Sequence, residues 1–424
     1  MDTRIKQVHG RAGIDCKGKP LLEVDVVTQD GVLGRASSPS GISAGMHEAF
    51  VLRDGDKNWY NGAGVFKAVE VINQVIAPAV AGMDVMDQEA LDQRLIELDG
   101  TPNKSRLGGN STYSVSLAVL RAAAAIKGLP LYRMLNPGQV KSIPLPTANC
   151  FSGGSYQKNS MPFQEVTIVP YRAKTLQDAV HTIVSIYGRM PEAIQVFSGK
   201  PAIPGSLSSF KCPSTSPDDA YAIVSAAAEM AGMRDQIAFA ADCAFSEIYD
   251  PRRGTYDLVG EEVTTEELID RLEALTSKYD FLYIEDPIDE NDWEGWSLAA
   301  KRLTRTMLVG DDLTVTNMER LKTAAERGAC QAFIFKPNQV GTVTECMAAA
   351  RFAKEHGILS IPSIRAGGVN DDPIVDMAIA LGSPCIKSGP PRNGQGIHCY
   401  NTLTRCEDEN PGARPFDFSP YIKF

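Results

Sequence analysis

The sequence of 424 residues has no Lys/Arg run, no CxxC or CxxH pair, and no uninterrupted apolar stretch of about 18 residues. Each absence removes a class of function. Without a concentrated basic surface, and with a net charge of -10, the chain is not suited to a phosphate backbone, so no nucleic-acid partner is expected. Without an apolar span no membrane association is expected, and the opening Met1-Asp-Thr-Arg-Ile-Lys lacks the apolar core of a signal peptide, which predicts a cytoplasmic protein. The cysteines number nine, an odd and scattered set, which favours reduced thiols over disulfides or a zinc site. Hydrophobic residues at 43% and charged residues at 22% are ordinary for a globular chain, so no long disordered tract is expected. The length suits a barrel of about 250 residues with a smaller companion.

The first part reads as α+β. Leu21-Leu-Glu-Val-Asp-Val-Val alternates like a half-buried strand, and Gln29-Asp-Gly31 supplies a hairpin turn before Val32-Leu-Gly-Arg-Ala. Helices are predicted from Asp87 to Leu98 and from Ser114 to Lys127, followed by a linker at Leu135-Asn-Pro-Gly-Gln. Beyond it, strand, loop and helix alternate, with capping boxes predicted at Thr264/Glu267, Thr316/Glu319 and Thr342/Glu345. A right-handed parallel barrel would bring the C-terminal ends of its strands to one face.

Those ends carry the chemistry. Ile237-Ala-Phe-Ala-Ala-Asp242, Phe281-Leu-Tyr-Ile-Glu285 and Met307-Leu-Val-Gly-Asp311 are apolar runs that stop at a carboxylate. Ala332-Phe-Ile-Phe-Lys336 and Cys385-Ile-Lys387 stop at a lysine, and Ile361-Pro-Ser-Ile-Arg365 at an arginine. From Glu285 onward these markers are 22 to 29 residues apart, the pace of βα units. Single acids at helix starts are commonly solvated, but three converging carboxylates repel unless a cation neutralises them, and an all-oxygen set suits Mg2+ or Mn2+. A lysine beside such a cation is pushed toward its neutral form and can abstract a proton; otherwise it simply balances the acids. Arg365 is placed to hold a phosphate in bidentate fashion, or is a plain surface arginine. The small, glycine-rich run Ser37 to Gly45 is a candidate mobile lid.

Longer motifs add a family likeness. Leu52-Arg-Asp-Gly-Asp-Lys57, Glu97-Leu-Asp-Gly-Thr-Pro-Asn-Lys-Ser-Arg-Leu-Gly, Phe163-Gln-Glu165, Tyr283-Ile-Glu285-Asp-Pro, Asp292-Trp-Glu-Gly-Trp, Gly310-Asp-Asp-Leu-Thr-Val-Thr-Asn and Lys336-Pro-Asn-Gln-Val-Gly-Thr resemble enolase over nearly the whole chain. The resemblance implies an α/β protein with an α+β cap over residues 1–135 and an irregular, TIM-like β/α barrel over residues 140–424. It implies Mg2+ on Asp242, Glu285 and Asp311, with Ser40 reaching a second Mg2+ from the lid. Lys336 would be the base, a pattern already described for this superfamily, and Glu165 and Lys387 would complete the catalytic set. Lys387 would also hold the substrate carboxylate and Arg365 the phosphate. The implied partners are a small anionic phospho- or phosphono-carboxylate and a second copy of the chain.

Several positions depart from the family. Its Gly-Asp-Glu-Gly-Gly segment matches Phe197-Ser-Gly-Lys-Pro-Ala in this reading, so the glutamate that acts as general acid falls on Gly199 or Lys200. Gly-Gly-Ser-His is Gly153-Gly-Ser-Tyr156, and Ser-His-Arg-Ser-Gly is Ser363-Ile-Arg-Ala-Gly367. Tyr156, Lys200 and Ser363 thereby become candidate substrate contacts. Near the end, Ser-Glu-Arg is replaced by Gly394-Gln-Gly, which alters an implied dimer contact. The kept half of the site would grip an acid like phosphoenolpyruvate or 2-phosphoglycerate; the lost half would have served dehydration. The expectations are therefore altered chemistry of the carboxyphosphonoenolpyruvate synthase kind, a hydratase with substitute acids, or an inactive binding relative.

Overall fold

The computed structural model describes residues 1–41, 45–157 and 160–424. Strands β1 (Ile5–Ile14), β2 (Pro20–Thr28) and β3 (Leu33–Ser38) form an antiparallel meander with β2 in the middle. Being central, β2 is buried on both faces rather than one, and its acid Asp25 is tolerated because Arg11 and Arg35 from the flanking strands hold it, Arg35 Nε at 2.6 Å. These guanidinium groups keep the Asp25 carboxyl well below its ordinary range.

Helix α1 (Gln88–Asp99) is capped by the Asp87 side chain. Helix α2 (Gly109–Lys127) starts one turn before the expected Ser114, because its first turn is buried beneath the loop at Phe50, whose carbonyl accepts from Gly109 N at 2.7 Å. It crosses β3 so closely that a Cβ on Gly34 would lie 1.9 Å from the Ala118 carbonyl, which explains the small residues at the crossing. The helix also reaches the barrel: Ser116 Oγ accepts from Val343 N at 2.9 Å, while Asp92 accepts from Thr344 N and Oγ1 at 2.9 and 2.6 Å. One apolar core therefore runs from Leu117 and Val119 into Val343 and Ala350, fixing the cap over the barrel.

The barrel strands are β4 (Leu145–Ser152), β5 (Glu165–Val169), β6 (Ala238–Asp242), β7 (Phe281–Glu285), β8 (Met307–Gly310), β9 (Ala332–Phe335), β10 (Leu359–Pro362) and β11 (Cys385–Lys387). A Ser363–Lys387 bridge joins β10 to β11 and closes the circuit. The expectation of an all-parallel barrel is corrected at β5, which runs antiparallel to both β4 and β6. Consequently Glu165 sits at the start of its strand yet at the same mouth as the ends of the parallel strands.

Helices pack outside, and their starts follow the sequence signals with one exception. Thr264 and Thr342 cap their helices by accepting from Glu267 N and Glu345 N. Thr316 does not cap: Asn317 accepts from Glu319 N and Arg320 N, leaving Thr316 Oγ1 to accept from Lys336 N at 2.9 Å and to meet Gln339 Oε1 at 2.8 Å. Among the described residues no helix is long and apolar enough to cross a membrane.

Candidate active site

Strand register places the site residues side by side. Glu165, Asp242 and Glu285 are Cα partners across β5, β6 and β7, while Asp311 and Lys336 directly follow β8 and β9. Lys387 ends β11 on the opposite wall and reaches across the mouth: its Nζ lies 2.6 and 2.8 Å from the Glu285 oxygens, 3.0 Å from Asp242 and 3.5 Å from Glu165. Lys336 Nζ forms an ion pair with Asp311, whose other oxygen lies 3.4 Å from Gln339 Nε2. Gln164 Nε2 donates to Asp242 at 3.1 Å. Arg365 is buried against Glu48 at 3.2 Å and Asn338 Oδ1 at 3.2 Å.

Burial sets the electrostatics. It pushes Glu165 up, and with Asp242 alongside it pushes Glu285 well up, despite Lys387. Burial acts the same way on Asp311, but Lys336 and Lys387 outweigh it and hold that carboxyl below its ordinary value. For Lys336 and Lys387 burial opposes the charge, yet their carboxylate neighbours win and both ammonium groups are stabilised. Four carboxylates thus crowd two lysines, with burial favouring the protonated form of Glu165 and Glu285.

The carboxylate and amide donors gathered there are all oxygen, so the residues fit a hard metal ion. Gln164 adds a buried Oε1 that has no hydrogen-bond partner among the described residues. Among the described residues, the group with a ligand atom each within 4.8 Å of one another is Asp286, Asp311 and Asp312, rather than the expected Asp242, Glu285 and Asp311. Asp286 is already employed, accepting from Asp311 N at 2.8 Å and Asp312 N at 2.7 Å, so it acts as a brace for the β8 loop. The expected trio is spread wider because Lys387 lies between Asp242 and Glu285, and Lys336 lies against Asp311.

The remaining expected residues divide. Tyr156, Glu165, Ser363, Arg365 and both lysines line a cavity of about 210 Å³. Ser40 does not face the carboxylates: its backbone exchanges two 2.9 Å hydrogen bonds with Gly367, and its hydroxyl lies 3.5 Å from Asp15. Of the lid run, residues 42–44 lie outside the described residues; Gly41 reaches the cavity. Lys200 is exposed beyond Gly199, the left-handed cap of the long helix Leu176–Ser198, and does not line the cavity. The wall expected there is supplied by Leu207 and Ser208. Lys17, Glu48, Gln164, Asn393 and Gln395 were not singled out from sequence, though Gln164 and Gln395 sat inside segments compared with the family.

Two family descriptions match the chain: "Enolase, N-terminal domain" over residues 5–135 and "Enolase, C-terminal TIM barrel domain" over residues 140–417. The chain belongs to the enolase family. The loop that reaches the mouth is Gly205-Ser-Leu-Ser-Ser209, whose Leu207 and Ser208 line the cavity where Gly199 and Lys200 do not. The loop is tightly held: Ser209 Oγ lies 2.8 Å from Ser152 Oγ, Tyr187 OH donates to the Ser208 carbonyl, and Asn393 Nδ2 donates to Ser208 Oγ at 3.1 Å. Leu207 and Ser208 both adopt left-handed backbone, at φ 56° and 63°, a strained shape for non-glycine residues. The enolase phosphate loop likewise offers Ile364 and Ala366 to the cavity beside Arg365.

Proposed function

We propose that this enolase-family protein binds a phosphoenolpyruvate-like acid with Mg2+ and carries out chemistry other than dehydration at its far end, of the carboxyphosphonoenolpyruvate synthase kind. In that reaction the donor's phosphate is released to water, and its enol oxygen attacks the phosphorus of an activated phosphonoformate, the new O–P bond forming as the bond to the activating group breaks and that group leaves with the electron pair. The observation carrying this reading is the division of one cavity. Its floor holds Glu165, Asp242, Lys336 and Lys387, whereas its far wall presents Leu207 together with Tyr156, Ile364 and Ala366, the last three replacing two histidines and a serine of the family pattern.

Asp242, Glu285 and Asp311 would hold the cation, which when bound supplies positive charge that stabilises the substrate carboxylate and the negative charge of an enolate oxygen. Taking up the charge of Asp311 would remove what now stabilises the Lys336 ammonium, leaving its Nζ as the proton-accepting atom. Lys387 would orient the substrate carboxylate, and Arg365, stiffened by Glu48, the phosphorus group. A leucine at that wall cannot assist departure of a hydroxyl, and assistance by a positioned acid is worth about 10² to 10⁴ in rate.

The purified protein, given Mg2+, a phosphoenolpyruvate-type donor and an activated phosphonoformate, should form a new phosphonate detectable by phosphorus NMR. Efficient turnover of 2-phosphoglycerate with no phosphonate product would replace this reading by a hydratase. One observation favours that second reading: burial keeps Glu165 prone to carry a proton, so with Tyr156 it could serve as a substitute acid.

A further inference from the structure

Among the described residues four cationic side chains line the cavity: Lys17, Lys336, Arg365 and Lys387. Three are matched. Lys336 faces Asp311, Arg365 faces Glu48, and Lys387 faces three carboxylates. Lys17 alone makes no ion pair with a described residue; its Nζ stands 6.0 Å from the centre of the Tyr156 ring. Its nearest acid, Asp15, acts on it only at a distance, so a cation at the mouth of the cavity is left to attract an anion.

Its position is built rather than incidental. Lys17 sits in the β1–β2 turn, where Asp15 Oδ1 accepts from Lys17 N at 2.8 Å and Lys19 N at 2.9 Å, and Gly18 takes φ 70°. The turn is docked onto the barrel: Cys16 N donates to Gly368 O at 3.0 Å, and Cys16 Sγ lies 3.5 Å from Ala366 O. The cap domain thus delivers a cation to the outer end of the wall that Arg365 and Tyr156 begin. Burial of its stem lowers the Lys17 pKa, with Cys16 and Asp15 opposing that shift.

We propose that Lys17, with Tyr156 beneath it, forms an outer subsite for the anionic group of a second reactant, a phosphonate-bearing acid that enters after the acid held at Lys387. The nature of that reactant rests on the function proposed above; the subsite itself rests on the unmatched lysine. A substrate gripped at Lys387 and Arg365 alone would leave Lys17 idle, whereas a second oxyanion at the mouth engages it.

The test is calorimetric titration of phosphonoformate into the Mg2+-loaded full chain saturated with phosphoenolpyruvate. Lys17→Ala should weaken binding about tenfold or more, Lys17→Arg should stay within about threefold of the parent, and Lys200→Ala, on the outer surface, should change nothing. Lys17 is exposed, so a matching thermal melt will show that the variant folds. Equal affinity of Lys17→Ala and parent, or no phosphonoformate binding by the parent, overturns the subsite. Lys17-dependent binding without any phosphonate product sustains the subsite and removes only the catalytic reading.

Discussion

Lys336 and Leu207 carry opposite messages. The first is where an enolase base is expected, ion-paired to Asp311 on the cavity floor. Lys336→Ala should lower product formation by about 10²-fold or more while leaving Mg2+-dependent thermal stabilisation in place, since the lysine is not a ligand. Leu207 lines the far wall of the same cavity. Leu207→Glu should raise 2-phosphoglycerate dehydration about tenfold or more above the parent, measured by absorbance of the enol product; unchanged turnover would show that the loop is not the acid's location. The strand-end residues were legible in sequence because an apolar run that stops at a charged residue marks both a strand and a mouth. Lys200 was misplaced for the opposite reason: its segment has no such frame, and only the fold shows that Gly199 ends a helix on the outside. Lys17 carried no signal at all, since its role depends on a turn docking against residues about 350 positions away.

At the scale of elements, helix starts at Thr264 and Thr342 were legible in the sequence, because a local hydroxyl and a local acid satisfy the first turn. The same signal failed at Thr316 because Asn317 is the better acceptor one residue later and the threonine is drawn toward Lys336. The antiparallel course of β5 was also illegible: period and burial are the same in either direction, and only pairing with β4 and β6 reveals it. The helix Ile374–Leu381 offers a pH test away from the carboxylate centre. Asp372 caps its approach, accepting from Ile374 N at 3.1 Å, and burial pushes its carboxyl up to about 6 from an ordinary 3.8. Because the folded state holds this proton more tightly, its stabilising contribution is complete below about pH 4 and is lost as pH rises through about 6. Asp372→Asn keeps the acceptor and cannot ionise, so it should be more stable than the parent by about 2 to 3 kcal/mol near pH 8, with the gain vanishing near pH 4 in denaturant titrations.

The whole molecule joins cap and barrel through one core, and its mouth takes groups from both: Lys17 and Glu48 from the first, the carboxylates and lysines from the second. With the carboxylates of Glu165, Asp242, Glu285 and Asp311 crowded there, Mg2+ should raise the melting temperature by a few degrees and a chelator should reverse it, whereas Asp242→Asn should abolish the shift. This coupling of a metal-ready floor to an altered wall is the central claim. It is tested most directly by phosphorus NMR of the Mg2+-loaded protein with 2-phosphoglycerate alone. The account predicts conversion to phosphoenolpyruvate at least about 10²-fold slower than an ordinary enolase assayed alongside. Turnover at the ordinary rate would contradict it.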